Sequence, residues 1–564
     1  MNNSTATPTM RIVMIQPASY DEEGYVIQFW RVFNTNYTLS AIHGMLLGAA
    51  QTICPKETGR LEIRPIDESC EIIDRPALIQ WMKGADRCLV MLVGVLSAHY
   101  PRSVDLAREF SAAHIRVIIG GFHVSACLST TPDWSPCLEA ARTVGASLFA
   151  GEMEGMEEDL LRDAWLGELK PFYSQLEQLP NLRGAPPPYL EKRLIDRMAT
   201  PVAGIELGRG CPYKCSFCCI INVFGNKYRS RSAEELQDHL RHCCQSGVVR
   251  FTLVDDNLSR NPQWRILFEI MGKLREEEGL KLDFFMQIDA RAHLLNGFVE
   301  GAKRAGCSRV FIGIESVRDV NLVDANKRTS PISELKKMAL TWKKVGIMVY
   351  GGYIIGMPQD TPERVEEDIR TLQDEIAVDA LHFSMLTPLP GSKDHQRLLE
   401  NGAFLHPDFN CYDGIHALTP HPSMSKEVWE QLYIKSWKWL FSSRYIRRVF
   451  QRAILFKLPV NEIFGLQLLF SGSIPLEGIS PLEGGIWRHK VRTDRRPSHS
   501  IETIWRFYPK RLREIITVQI GGWVWRFIRL KLLLLWARTE LWLGLTGMDR
   551  AIILDPKEQK SDLS

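Results

Sequence analysis

Gly208-Arg209-Gly210-Cys211-Pro212-Tyr213-Lys214-Cys215-Ser216-Phe217-Cys218 carries three thiols spaced C-x3-C-x2-C, with an aromatic residue directly before the third. Thiolates are soft ligands that suit iron–sulfur clusters and zinc. A 4Fe-4S cluster held by four cysteines is saturated. Three close cysteines leave one iron open. A structural zinc site takes four ligands, so the tight spacing predicts a loop wrapped around a cluster, with a zinc loop or three core cysteines as the alternative. Cys219 follows immediately and reads as a bystander.

Working toward the C-terminus, apolar runs near residues 202–207, 249–254, 282–287, 309–314, 347–354 and 380–386 read as strands. Helix-like stretches such as 233–244, 264–278 and 365–376 separate them. Six such units predict a partial TIM-like barrel, whose active groups belong at the carboxyl ends of the strands. The cysteine loop follows the first strand. Asp255-Asp256-Asn257 follows the second, Gln287 and Asp289 end the third, Glu315-Ser316 the fourth, and Gly356-Met357-Pro358 the fifth. Asp255 and Asp256 have helix N-capping as their alternative role.

Working toward the N-terminus, short apolar runs at 11–17, 61–66, 88–96, 116–119 and 147–149 alternate with helical stretches at 38–51 and 103–114. That alternation predicts a parallel sheet covered on both faces. Five strands suggest a flavodoxin-like, doubly wound domain with its crevice beyond the strands' carboxyl ends. Small or polar residues stand at those ends: Ser97, then Gly120-Gly121-Phe122-His123, then Gly151-Glu152. Glycine permits close approach of a ligand to the backbone, or a tight strand-to-helix turn. Prolines 180, 186, 187 and 188 mark a linker over 171–200.

The cysteine spacing is the signature of the radical S-adenosylmethionine (SAM) enzymes, and the chain resembles that superfamily over roughly residues 11–400. The preceding sheet, with its Gly120-Gly121-Phe122-His123-Val124-Ser125 run, resembles the cobalamin-binding domain of B12-dependent members. The resemblance implies that Cys211, Cys215 and Cys218 hold three irons of a 4Fe-4S cluster and that SAM chelates the fourth. It also implies SAM contacts at Phe217, Asp255, Asp256, Gln287, Glu315, Ser316 and Gly356, the last making room near the adenine. Cobalamin contacts are implied at Ser97, Gly120, Gly121, Phe122, His123, Gly151 and Glu152. One departure matters: the Asp-x-His-x-x-Gly motif that ligates cobalt from below is absent, and His43-Gly44 lacks its spacing. The reaction implied is radical methylation of an unactivated carbon, with cobalamin-dependent cyclisation or rearrangement, or a non-catalytic cobalamin or iron–sulfur sensor, as the alternatives. A flavodoxin or ferredoxin would supply electrons.

The expected organisation is therefore an α/β chain: a Rossmann-like cobalamin-binding domain at 1–170, the linker, a radical SAM core at 201–403, and a helix-rich C-terminal domain at 404–564. The formal net charge of +3 over 564 residues argues against bulk nucleic-acid binding. Thirteen cysteines at irregular spacing, behind a polar first ten residues, point to a reducing cytoplasm. In the tail, His416 and His421 read as hydrogen-bonding loop histidines, with metal binding as the alternative, and Asp494-Arg495-Arg496 reads as a solvated charge run. Residues 522–542 interleave tryptophan and leucine with Arg526, Arg529 and Lys531. Such a stretch suits a helix lying in a membrane interface, and a lipid-like substrate with it; the alternative packs it on the barrel.

Overall fold

Alternating apolar runs and amphipathic helices build two six-stranded parallel sheets. The computed structural model describes residues 8–33, 36–53, 59–130, 136–472, 486–542 and 544. The first sheet contains β1 (Thr9–Gln16), β2 (Arg60–Asp67), β3 (Arg87–Leu92), β4 (Arg116–Gly120), β5 (Ser147–Ala150) and β6 (Phe172–Ser174). Their spatial order is β2-β1-β3-β4-β5-β6, the doubly wound arrangement with its switch point between β1 and β3. Helices cover both faces. Ile12 and Met14 enter one core layer, Val13 and Ile15 the other. That two-sided burial explains why the strand reads as a continuous apolar run and not as an alternation.

The sheet has one strand more than the sequence suggests. β6 lies inside the stretch read as a linker and pairs with β5, Phe149 opposite Tyr173. Its three residues are too few to give a periodic signal. A single helical turn, Lys192–Ile195, also lies in that stretch.

The second sheet holds β7 (Val202–Ile205), β8 (Arg250–Leu253), β9 (Asp283–Ile288), β10 (Cys307–Glu315), β11 (Met348–Ile355) and β12 (Ala380–Met385), each paired only with its sequence neighbours. β7 and β12 are left as edges, so the barrel is partial. Along β9, Phe284, Met286 and Ile288 are buried against the helices, whereas Phe285 and Gln287 point to the open inner side. Along β10 the same alternation turns Phe311, Gly313 and Glu315 inward. A Ser232–Glu235 capping box starts the helix Ala233–Gln245.

The tail does not build a core of its own. Helices Lys426–Leu440 and Ser443–Leu455 drive Trp429, Trp437, Ile446 and Val449 into the same apolar cluster as β11 and β12. The Trp437 ring lies 5.0 Å from that of Phe383. Further on, Arg488–His489 returns to the first domain and pairs antiparallel with Gln28–Phe29. The expected solvated charge run is corrected here. Asp494 is buried, 2.9 Å from Arg102 and 2.8 Å from Arg75, and Arg102 is also bound to Glu68 at 2.5 Å. A buried arginine between two carboxylates satisfies its fork geometry where water cannot reach. His416 and His421 behave as hydrogen-bonding loop residues: His416 lies between Asp413 and Glu22, and His421 lies 3.0 Å from the Met357 carbonyl.

Candidate functional site

The carboxyl ends of the two sheets open onto one cavity of about 390 Å³. Gly120, Gly121, Phe122, Gly151 and Glu152 wall it from the first domain. Glu206, Arg209, Phe224, Val254 and Asp256 wall it from the barrel. Met45, Met91 and Met153 add soft apolar surface that adapts to an irregular ligand. Arg209, Ile220 and Phe224 bracket the cysteine loop in sequence, so the loop stands at the cavity's barrel side. Phe122 and Phe224 meet edge to face across it, ring centres 5.2 Å apart.

The cysteine loop is fixed at its entrance. Gly210 adopts φ +98°, and a Cβ there would lie 2.4 Å from the Lys227 carbonyl oxygen, so only glycine can occupy the position. Its N–H donates to Asp256 at 2.9 Å. The Cys211, Cys215 and Cys218 thiols are half-buried and feel one another's charge. Burial pushes all three up. A bound metal would offset that by holding them as thiolates. Among the described residues, no three His, Cys, Asp or Glu side chains form a group that could hold a metal ion. A structural zinc site would need a fourth ligand beside the three thiols. Three thiols serving separate irons is a looser arrangement, and the donor set fits a cluster with one open iron.

Six other residues complete the surround. Asp289 accepts from Arg260 at 2.7 Å, Ser259 at 2.8 Å, Asn257 at 3.2 Å and Tyr213 of the cysteine loop at 3.4 Å. Opposite, Lys327 donates to Glu315 at 2.9 Å, beneath Cys215 in charge terms. Glu315 has φ +65°, a left-handed conformation that a glutamate adopts only where surrounding structure enforces it. These polar hubs escape sequence reading, because Lys327 and Arg260 lie on loops with no periodicity or motif.

The expected SAM residues divide into two groups. Phe217 lies in the loop, Asp256 lines the cavity, and Gln287 and Glu315 share the inner side of the barrel. Burial raises the Asp256 carboxyl to about 6. The others are used by the fold. Asp255 accepts from Leu207 N–H at 3.1 Å and from the Tyr228 hydroxyl, and burial raises it to about 8. Neither aspartate caps the turn at Leu258–Arg260, where Asn257 takes that position. Ser316 is 1% exposed, and its hydroxyl is engaged by Arg318 N–H and Asn321. At Gly356 a Cβ would lie 2.1 Å from the Trp429 indole, so its missing side chain makes room for a tail helix.

The cobalamin expectations divide similarly. Gly120, Gly121, Phe122, Gly151 and Glu152 line the cavity; Ser97 and His123 do not. His123 is buried between Ser97, 3.0 Å away, and the Tyr100 ring, and burial lowers it to about 3. Its ring is held neutral inside the fold. His43 is likewise packed against Tyr189. Gly121 at φ +142° is needed because a Cβ would lie 2.2 Å from Val95 N. The close approach it permits is therefore to its own chain.

Residues 205–372 match the model of the Radical SAM superfamily. The chain carries a radical SAM domain. The matched residues run from the last residue of β7 through β11 and include the three cysteines. A methyltransferase named for bacteriochlorophyllide d C-12(1), from Chlorobaculum tepidum, is 26% identical over 344 residues, spanning 58% of this chain and 70% of that protein. Two solved structures share the fold. The radical SAM methyltransferase TsrM from Kitasatospora setae, with cobalamin and a 4Fe-4S cluster bound, aligns at TM-score 0.52 and 14% identity over 70% of this chain and 79% of its own. The cobalamin-dependent radical enzyme OxsB, with aqua-cobalamin bound, aligns at TM-score 0.50 and 15% identity over 98% and 82%. In this chain the radical SAM domain is preceded by the doubly wound sheet.

Proposed function

We propose that the chain is a cobalamin-dependent radical SAM methyltransferase acting on an unactivated carbon of a small molecule. One observation carries this reading: the strand ends of the first sheet and those of the radical SAM domain face each other across a single cavity. A methyl carrier on one side and a radical generator on the other would then share one substrate. When bound, the 4Fe-4S cluster, SAM and cobalamin supply one-electron cleavage of SAM, hydrogen abstraction and the methyl group.

The chain's own residues bind, orient and exclude water. Cys211, Cys215 and Cys218 would hold the cluster. Gln287 and Glu315 present hydrogen-bonding groups on the inner side of the barrel, and a carboxylate accepts two bonds from ribose hydroxyls. Gly120, Phe122, Gly151 and Glu152 form the floor for the corrin. Among the described residues that line the cavity there is no histidine. A flavodoxin or ferredoxin is the proposed electron donor, and a peripheral lipid contact through residues 522–542 is part of the same proposal.

Anaerobic incubation of the reconstituted protein with SAM, reductant, methylcobalamin and a cell extract tests the reading. A product heavier by one methyl group, absent with Cys218→Ala, is expected. Formation of 5′-deoxyadenosine with a rearranged but unmethylated product would overturn it in favour of cyclisation. Absence of SAM cleavage in fully loaded protein would leave a sensor.

A further inference from the structure

The C-terminal helix is partly packed and partly bare, and the bare part is longer than the sequence suggests. Helical dihedrals run without a break from Ile504–Glu514 through a π-helical stretch, Ile515–Gly522, into Trp523–Trp542. Trp523, Leu530, Leu533, Leu534 and Ala537 are buried, packed toward helices Ser443–Leu455 and Val460–Gly472. On the outside, every fourth residue from Ile504 through Ile516, Val524 and Leu532 to Trp536 is apolar and more than half exposed. Trp505 and Trp542 stand 88% and 84% exposed.

A stripe with a four-residue repeat would spiral by about 40° per step around an α-helix. The wider π turns advance less per residue, so the central stretch works against that drift. π-Helix is rare and recurs at functional sites. Contiguous exposed apolar surface of this extent marks an interaction site.

Charge decides what covers it. At about 100° per residue, Lys531 and Arg538 flank the apolar arc of Trp523–Trp542 on one side and Arg529 on the other. Arg506 and Arg513 are exposed along the first segment. The two acids of the helix, Glu514 and Glu540, are already engaged, by Arg511 at 2.7 Å and by Gln451 at 2.8 Å. A two-fold pairing of this face with a second copy would set cations against cations. Arg529 is engaged by the Phe441 carbonyl and the Ser443 hydroxyl at 2.9 Å, whereas Lys531 and Arg538 are exposed. An apolar stripe with tryptophans, flanked by exposed basic side chains, matches the headgroup boundary of an anionic bilayer. No described helix is long and apolar enough to cross a membrane.

We infer that the exposed stripe from Ile504 to Trp536 is a docking face for an anionic lipid surface, with the whole helix lying in the plane of the interface. The inference rests on the proposed lipid contact at 522–542. It deepens that contact by adding residues 504–520 and a preference for negative headgroups.

Flotation of the full chain with phosphatidylcholine/phosphatidylglycerol vesicles, against pure phosphatidylcholine, tests it. Binding to the anionic vesicles, lost at high salt, is expected. Lys531→Gln with Arg538→Gln should weaken that binding roughly twenty- to thirtyfold. Trp525→Glu with Leu532→Glu tests the contact already proposed, and Trp505→Glu with Leu512→Glu tests the extension. All four positions are exposed, so the fold should tolerate them. Loss with both pairs supports the inference. Loss with the first pair alone would overturn the extension and leave the narrower contact standing. Equal binding to neutral vesicles would overturn the anionic preference. No binding at low salt, or a stable dimer in light scattering abolished by Leu532→Glu, would overturn both. Brominated lipid should quench wild-type tryptophan fluorescence, and Trp505→Phe should reduce that quenching.

Discussion

Arg209 and Glu154 form a buried ion pair, Nη2 to Oε1 2.6 Å, that joins the cysteine loop of the radical SAM domain to the carboxyl end of β5 in the other sheet. Arg209 also reaches Glu152 and Glu206 at 2.6 Å each. Arg229 is bound to Glu152, and Arg231 lies 3.3 Å from Glu206. Three carboxylates and three guanidinium groups thus balance one another at the cavity wall, where Arg209 stands two residues before the first cysteine of the loop.

Removing one partner of such a network leaves charge uncompensated. Arg209→Met should destabilise the chain by about 3–5 kcal/mol, read as a lowered denaturation midpoint. Glu154→Gln, which keeps shape and hydrogen-bonding atoms, should cost less. Equal losses for the two would show that packing, not charge, dominates there.

Simultaneous replacement of Cys211, Cys215 and Cys218 by alanine should abolish iron binding at this site and SAM cleavage with it. Iron assay and the visible absorption of the reconstituted protein check this. Cys219→Ala is expected to keep full iron.

Gly356→Ala should be among the most damaging single-methyl additions in the chain. The new Cβ would lie 2.1 Å from the Trp429 indole, at φ +98°. Overpacking and left-handed strain each cost about 1–3 kcal/mol. Trp429→Ala alone should cost about 3–5 kcal/mol. Combined, the two should cost less than their sum, because the clash disappears with the indole. Urea denaturation of the three variants provides the test.

His416 makes stability pH-dependent. Burial pulls its pKa down, but the bonds to Asp413 and Glu22 outweigh that and raise it to about 10. The folded state therefore holds the proton more tightly than the unfolded chain. Its contribution is complete below the ordinary histidine range and is lost as pH rises toward 10. His416→Phe should lose roughly 1.5–3 kcal/mol near neutral pH and flatten the decline in stability between pH 7 and 10. Thermal unfolding across that range checks both.

Much of this was legible from residues alone, for identifiable reasons. Strands rich in apolar residues announce themselves as apolar runs, so β1 to β5 and β7 to β12 could be read. The cysteine loop carries a spacing that few other chemistries need. What escaped was set by tertiary contact. Nothing around Gly356 signals that Trp429, more than seventy residues later, fills its space. Likewise Ser97 and His123 stand at strand ends yet turn into the core, because a strand end fixes where a residue is and not which way its side chain points. Asp494 looked solvated because its partners, Arg75 and Arg102, lie 419 and 392 residues away.

That last distance has a consequence for how the protein is made. Glu68 and Arg102 meet early in synthesis, but the third member of their buried group, Asp494, emerges only after the barrel and most of the tail. The antiparallel partner of Gln28–Phe29 arrives equally late. Until then a newly made first sheet carries a buried-type arginine short of one carboxylate and an open strand edge, both of which invite association with other chains. The first domain is thus sealed only after the barrel and the helices that follow it have emerged from the ribosome.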